Sequence, residues 1–227
     1  MTIFSLAFAD ISQNTELWIS IGTSVLLVVI LLVLSLNNKK MDTRSIAFAG
    51  LSIAISFALS FAKFKVNANG GSITIASMVP IMLYSYFFGP VKGLMAGLIH
   101  GLLQFIESPY VISPLSFLLD YPFAFAGVAF VGLTGMIFKN KPKVALMVGA
   151  VCAYVFRFIM HFASGFLFFT DLAPAEAWAA NFVYQCTYIP LDALIGLVIL
   201  AILVFSPGFN ALKKIMRPNE NSTTSKA

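Results

Sequence analysis

The sequence has little charge, since Asp, Glu, Lys and Arg make up only 10% of its residues. A soluble domain is typically about 25% charged, so this scarcity excludes an ordinary water-soluble protein. The apolar runs are continuous and exceed the strands of about ten alternating residues that build a membrane β-barrel. With 59% hydrophobic residues among 227, the sequence predicts an all-α integral membrane protein.

The motifs of several enzyme and transporter classes are also absent. There is no GxxxxGK[ST] loop, so the chain cannot hydrolyse ATP by the P-loop route. No HExxH, no GxSxG and no internal repeat of the kind that builds many secondary transporters occurs. Cys152 and Cys186 stand singly in apolar segments, which is typical of small core residues. We therefore expect no catalytic residue, no metal and no cofactor.

Seven apolar stretches approach the length of a membrane-spanning helix, which is about 20 residues. We predict spans at 17–36, 45–63, 72–89, 92–106, 114–138, 144–170 and 179–205. The fourth is short and rich in glycine, so we expect it to be tilted or partly re-entrant. The first has no basic residues before it and is followed by NNKK instead of a cleavage site, so we interpret it as a true span and not as a signal peptide.

Basic residues concentrate on one side of these spans. Eleven of the fourteen Lys and Arg residues fall there, in the segments that follow the first, third, fifth and seventh spans. Because basic loops stay cytoplasmic, we predict that residues 1–16 lie outside and that the C-terminus lies inside. Residues 206–227 are predicted to be a basic, disordered cytoplasmic tail. Since the basic clusters are topology signals, we expect no nucleic acid partner.

Ionisable and polar residues recur inside the predicted spans, where they are costly and mark functional sites. The ionisable ones are His100, Asp120, Arg157, His161 and Asp192. Helical spacing places Arg157, His161, Gly165 and Phe169 on one face of the sixth span, and Asn181, Tyr184, Gln185, Tyr188 and Asp192 on one face of the seventh. Asp120 and Tyr121 belong to the fifth span, and Tyr110 to the loop before it. If these stripes face each other, they line a pocket that is open to the outside and suits a small, planar, cationic ligand.

Structural interpretations of the same residues stay open. An alternative explanation for Asp120 inside a span is that it caps a neighbouring helix or pairs with a basic group. Arg157 and Asp192 are predicted at similar depth, which favours a structural ion pair. His100 lies in a glycine-rich helix away from the other stripes, and we interpret it as structural.

Small residues recur every fourth position along the second predicted span. Gly50, Ala54, Ala58 and Ala62 share one helix face, which allows a second helix to approach closely. That second helix belongs either to this protein or to a partner membrane subunit.

From Thr43 to about Val204 the chain resembles the ThiT family, the thiamine-binding S-components of energy-coupling factor (ECF) transporters. The resemblance is carried by GGSITIASMVPIMLY (70–84), GPVKGLMAGLIHGLLQ (89–104), YVISPLSFLLDYPFAFAG (110–127) and RFIMHFASG (157–165). It implies a six-helix domain at 45–205, to which the span 17–36 is an addition. It also implies a bacterial cell membrane location, thiamine binding near the outer face, and docking to a transmembrane coupling subunit that works with two ATPases.

The resemblance places Tyr110, Asp120, Tyr121, His161, Gly165, Phe169 and Gln185 at ligand positions, with Arg157 at a basic position nearby, and it implies that the stripe around Ala54 and Ala58 docks the coupling subunit. We add Asn181 and Tyr184 from the same polar stripe. The family usually has Glu where Asp120 stands, Trp where Phe169 stands and Asn where Gln185 stands. It also has a tyrosine where Ala180 stands, and a tryptophan that the KVNANGG loop lacks. These changes shorten the carboxylate and weaken stacking.

Three other functions are alternatives to the binding of thiamine by an S-component. A thiamine precursor is an alternative ligand for an S-component. Asp120, His161 and Asp192 are also the residue types of a proton relay, which a proton-coupled secondary transporter of a small cationic heterocycle would use. An intramembrane enzyme would use Asp120 and His161 as acid and base, although no nucleophile or metal cluster accompanies them.

Overall fold

The computed structural model describes residues 42–66, 71–166 and 173–216. Its helices are α1 (Thr43–Ser60), α2 (Val79–Phe88), α3 (Pro90–Glu107), α4 (Pro114–Leu118), α5 (Ala124–Ala126), α6 (Ala129–Ile137), α7 (Pro142–Gly165), α8 (Pro174–Cys186), α9 (Ile189–Phe205) and α10 (Gly208–Met216). Strands β1 (Lys63–Lys65) and β2 (Ser72–Thr74) pair antiparallel, and a π-helical turn, Leu119–Phe123, joins α4 to α5. The predicted segment 1–16, the span 17–36 and Phe169 lie outside the described residues.

Four helical stretches of the described chain are long and apolar enough to cross a membrane. They are Thr43–Ser60, Pro114–Ile137, Pro142–Gly165 and Ala175–Phe205. Helix α3 has 18 residues, which is long enough to cross, but it carries Lys92, His100, Gln104 and Glu107 and is less apolar. The chain is therefore a mostly helical, multi-pass membrane protein.

Helix α2 forms the centre of the bundle. Eight of its ten residues are buried, and it packs against α1, α3 and α6. At 1.5 Å per residue, ten residues extend only about 15 Å, which is half the hydrocarbon thickness. The prediction of a single helix over 72–89 is therefore wrong.

A short β-hairpin replaces the first part of that predicted span, so the prediction of a purely α-helical protein is also corrected. Lys63 pairs with Thr74, and Phe64 with Ile73. The β-branched run Ile73–Thr74–Ile75 favours an extended chain, and Pro80 fixes the start of α2. An apolar run of this length does not distinguish strand from helix by its periodicity.

The predicted span 114–138 is an interrupted helix. Pro122 lies inside the π-helical turn. Because a proline has no N–H to donate to the carbonyl four residues earlier, the regular α-helical hydrogen bonding is interrupted there. The turn contains Asp120 and Tyr121, and α6 follows it to pack against α7. A π-helical turn inside an α-helix often occurs at a functional site.

The predicted span 179–205 is interrupted as well. Helix α8 ends at Cys186, and α9 starts at Ile189 with Pro190 in its first turn. The Thr187 hydroxyl donates to the Tyr184 carbonyl at 2.6 Å, which satisfies one of the free acceptors at the end of α8. The seventh predicted span is thus two helices with a bend at 187–188.

The predicted disordered tail begins with an ordered helix, which corrects that boundary. Helix α10 buries Phe209 and Met216, and the Arg44 guanidinium donates to the Ile215 carbonyl. Apolar residues on one face and Lys213 and Lys214 in the last turn make α10 amphipathic. Its buried face explains why residues 208–216 are helical despite their charge.

The small-residue stripe lies on the open face of α1. Gly50, Ala54 and Ala58 are exposed, and a Cβ added at Gly50 would meet no described atom within 4 Å. The buried face consists of serines instead, namely Ser45, Ser52, Ser56 and Ser60. Ala62 follows the end of the helix and is not part of its face. Within the described residues, the stripe therefore takes no part in internal packing.

Candidate ligand-binding site

One cavity, of about 140 Å³, brings together most of the predicted site residues. Eight of the ten line it: Tyr110, Asp120, Tyr121, Arg157, His161, Gly165, Tyr184 and Gln185. Asn181 is fully buried behind the wall, and Phe169 lies outside the described residues. The stripes of the fifth, sixth and seventh predicted spans therefore do face each other.

The Asp120 carboxylate is held on both of its oxygens by α7. His161 Nδ1 lies 2.9 Å from Oδ1, and the Ser164 hydroxyl donates to Oδ2 at 2.6 Å. An ionised carboxylate only accepts hydrogen bonds, so the His161 ring donates to it through an Nδ1–H. These partners fix the carboxylate at the cavity wall, where its side chain is still 24% exposed.

Arg157 and Asp192 form the predicted ion pair in the interior. Arg157 Nη1 lies 2.5 Å from Asp192 Oδ2, and both side chains are buried. The other carboxylate oxygen accepts from the Thr74 backbone N–H and from its hydroxyl, each at 2.7 Å. The guanidinium also lies over the Phe125 ring, 4.9 Å from its centre. The pair thus joins α7 and α9 to strand β2, so it has a structural role.

The Tyr121 hydroxyl fixes the loop at the edge of the cavity. It donates to the Ser108 carbonyl at 2.7 Å and accepts from the Tyr110 N–H at 2.9 Å. Its ring packs edge-on against Phe105. Tyr121 therefore holds the loop that carries Tyr110 in place beside the cavity.

The polar stripe of α8 is satisfied largely by the protein itself. Gln185 donates to the His161 carbonyl at 3.1 Å and to Asn181 Oδ1 at 3.0 Å, while Tyr188 donates to Gln185 Oε1 at 2.6 Å. Asn181 donates to the Phe162 carbonyl at 2.7 Å. The Asn181 side chain packs so closely on Gly165 that an added Cβ there would overlap it. Asn181 thus joins α7 to α8 and does not line the cavity.

Several lining residues were missing from the predicted set. Lys63 and Glu107 form an ion pair there, and Gln104 and Ser164 also line the wall. The i, i+3 spacing of Gln104 and Glu107 puts them on one face of α3, and Ser164 follows His161 at the same spacing. These spacings were readable in the sequence. Lys63 was not identifiable, because only the hairpin brings it to the cavity.

Three buried polar atoms of the cavity residues have no hydrogen-bond partner among the described residues. They are Gln104 Nε2, Arg157 Nε and His161 Nε2. A buried polar group without a partner costs about 1–3 kcal/mol. The protein keeps three such groups at one place, which is the arrangement expected where a polar ligand supplies the missing partners.

Comparison with known proteins identifies the family. Residues 46–208 match the family model described as thiamine transporter protein (Thia_YuaJ). The chain belongs to this thiamine transporter family. The match confirms the resemblance drawn from the four sequence stretches, and a family of transporters confirms that the chain is not an enzyme.

Individual relatives agree with this assignment. The thiamine transporter ThiT of Bacillus subtilis is 31% identical over 180 residues, which cover 74% of this chain and 93% of the relative. The riboflavin transporter RibU of Staphylococcus aureus is 33% identical over 122 residues, which cover 52% of this chain and 60% of the relative. The solved structure of ThiT from Listeria monocytogenes has the same fold, with a TM-score of 0.63 at 21% identity, covering 76% of this chain and 96% of that one.

Proposed function

We propose that this chain is the substrate-binding S-component of an ECF-type importer and that it binds thiamine in the described cavity. The observation that carries the proposal is the placement of Asp120, a carboxylate fixed by His161 and Ser164 at the wall of a cavity between helices. Membership of the thiamine transporter family supports the choice of ligand.

The charges around the cavity favour a ligand with one positive charge. Among the described residues, Lys63 pairs with Glu107 and Arg157 pairs with Asp192, so both pairs are neutral as units. Asp120 contacts no Lys or Arg side chain among the described residues, so it is the carboxylate of the cavity that a cation would meet. Thiamine carries one positive charge, on its thiazolium ring. Because unlike charges attract strongly where water is excluded, the cavity is complementary to that charge.

The other groups of the cavity match the neutral parts of the vitamin. The aminopyrimidine ring offers N–H donors to Asp120 and ring nitrogens to donors such as Gln104 Nε2. Tyr110 and Tyr184 provide aromatic surface, which stacks on flat rings and attracts cations. Since most of these side chains are already held by protein contacts, binding costs little ordering entropy.

We further propose the membrane arrangement and the partners. The domain 45–205 would form the six-helix S-component bundle, with the C-terminus in the cytoplasm, following the positive-inside rule. The exposed stripe of Gly50, Ala54 and Ala58 on α1 would dock the transmembrane coupling subunit, since small residues allow close helix contact. The sequence has no P-loop, so two partner ATPases would supply the energy.

Titration calorimetry of the purified protein in detergent tests the ligand. We expect thiamine to bind more tightly than its neutral hydroxymethylpyrimidine precursor and more tightly than riboflavin, because both lack the thiazolium charge that Asp120 balances. Tighter binding of the precursor would reassign the chain to precursor uptake. Absence of thiamine binding in freshly purified, monodisperse protein would overturn the proposal.

A further inference from the structure

A partly buried ion pair joins the hairpin to α3 at the cavity, separate from Asp120 and its partners. Lys63 Nζ lies 2.5 Å from Glu107 Oε1 and 2.6 Å from Oε2. The side chains are 13% and 7% exposed, and both line the cavity. Lys and Glu are almost never buried unless they are paired. Lys63 and Glu107 meet that condition, and their place in the cavity wall raises the question of how the pair affects a bound ligand.

The pair places the Lys63 ammonium beside the cavity and balances its charge with the Glu107 carboxylate. Lysine is a common binder of phosphate, as a point charge. Both Glu107 oxygens lie within hydrogen-bond distance of the Lys63 ammonium, so the ammonium has no free charge to offer. Gln104, on the same face of α3, has a buried amide nitrogen without a partner among the described residues. This part of the cavity therefore accepts neutral polar groups and lacks a net positive charge.

We propose that Glu107, by cancelling the charge of Lys63 at the cavity wall, makes the site favour the free vitamin over its phosphate monoester. This inference rests on the proposed binding of thiamine. A phosphate monoester carries about −1.5 to −2 charges at pH 7. In the cavity that charge meets the Asp120 carboxylate, and the juxtaposition of like charges is unfavourable. Because the charges of Glu107 and Lys63 cancel, Lys63 does not attract the phosphate.

The test measures Kd for thiamine and for thiamine monophosphate in wild type and in four variants. Glu107→Gln leaves Lys63 without its counter-charge, so the monophosphate should gain affinity relative to thiamine by about tenfold or more. Lys63→Gln should shift the same ratio in the opposite direction. In Lys63→Gln/Glu107→Gln, the site is neutral again, and the ratio should return to near the wild-type value. Glu176→Gln, at an exposed carboxylate of α8, is the matched control.

The opposite shifts expected of the two single variants keep the test decisive if one of them fails to fold, and thiamine binding itself reports folding. A ratio that stays unchanged in both single variants would overturn the selection role while leaving thiamine binding intact. A wild type that binds neither ligand would instead overturn the proposed function. An equal shift in Glu176→Gln would show that the effect arises from overall protein charge and not from the pair.

Discussion

Asp120 differs from the other buried carboxylates of this protein in what it contacts. Asp192 and Glu107 each contact the ammonium or guanidinium of a basic residue, whereas Asp120 is held by an imidazole and a hydroxyl. A ring N–H and a hydroxyl orient the carboxylate without placing a Lys or Arg charge against it. At the scale of single residues, this difference separates a carboxylate available to a cation from two that hold the structure together.

We predict that Asp120→Asn weakens thiamine binding by about 2 kcal/mol, or about thirtyfold in Kd, because hydrogen bonds to charged groups contribute about 1.5–3 kcal/mol. The substitution keeps the size of the side chain and its ability to accept from Ser164. Calorimetric titration measures the change, with Glu176→Gln as control and the melting temperature as a check on folding. Unchanged affinity would place Asp120 outside the binding site.

At the scale of elements, close contacts between helices fix the shape of the cavity. Helix α7 carries His161, Ser164 and Gly165 on neighbouring turns, and α8 approaches it where Gly165 has no side chain. The hairpin is held from the other side by Asp192, through two hydrogen bonds to Thr74. The helix breaks around 122 and 187 supply the bends that let these elements converge.

Gly165→Ala should therefore destabilise the protein by about 1–3 kcal/mol, which is the usual cost of an overpacked site. The added methyl would overlap the Asn181 side chain and push α8 away from α7. Gly50→Ala is the matched control, since it adds the same methyl where no described atom lies within 4 Å. It should be neutral or stabilise α1 by up to about 1 kcal/mol. Melting in detergent compares them, and equal melting temperatures would contradict the packing argument.

The α1 stripe leads to a prediction about assembly. Ala58→Trp should leave thiamine Kd unchanged but abolish co-purification with the coupling subunit, because an indole would prevent close helix contact. Val155→Trp is the control, since Val155 is 53% exposed on a different helix. Co-purification that survives Ala58→Trp would exclude this face as the docking surface.

At the scale of the whole molecule, the chain has a candidate binding cavity, and its sequence shows no motif typical of an energy source. It lacks a P-loop and an internal repeat. The intramembrane ionisable residues that would suit a proton relay are engaged in separate contacts. Asp192 bonds Arg157 and Thr74, whereas Asp120 bonds His161 and Ser164. These contacts favour ligand binding, with transport driven by partners.

Uptake of radiolabelled thiamine should therefore require the coupling subunit and both ATPases in a host that lacks its own ECF components. An uncoupler applied with ATP held constant should leave this uptake unchanged. The Asp120→Asn variant, expressed to the same level, serves as the negative control. Uptake by the chain alone that collapses with the uncoupler would instead establish a proton-coupled carrier.

The sequence was sufficient to predict a structural feature wherever a local pattern of residues indicated that feature. Helical spacing grouped Arg157, His161 and Gly165 on one face of the sixth predicted span, and the structure brings that face to the same cavity as Asp120. The pattern failed at residues 72–78, because a buried apolar run looks alike in a strand and in a helix. It also failed at 208–216, where basic residues obscured the one buried face of α10.

By itself, the sequence determined the membrane class, the family and eight of the residues that line the cavity, because hydropathy, helical periodicity and sequence motifs are local properties. Only the tertiary structure decided which charges are cancelled. Lys63 and Glu107 are 44 residues apart in the chain, and Arg157 and Asp192 are 35 apart. Similar depth in the membrane predicted the Arg157–Asp192 pair, but no local pattern pairs Lys63 with Glu107, since their contact depends on how the hairpin packs against α3. That pairing leaves Asp120 as the charge that a cationic ligand would meet.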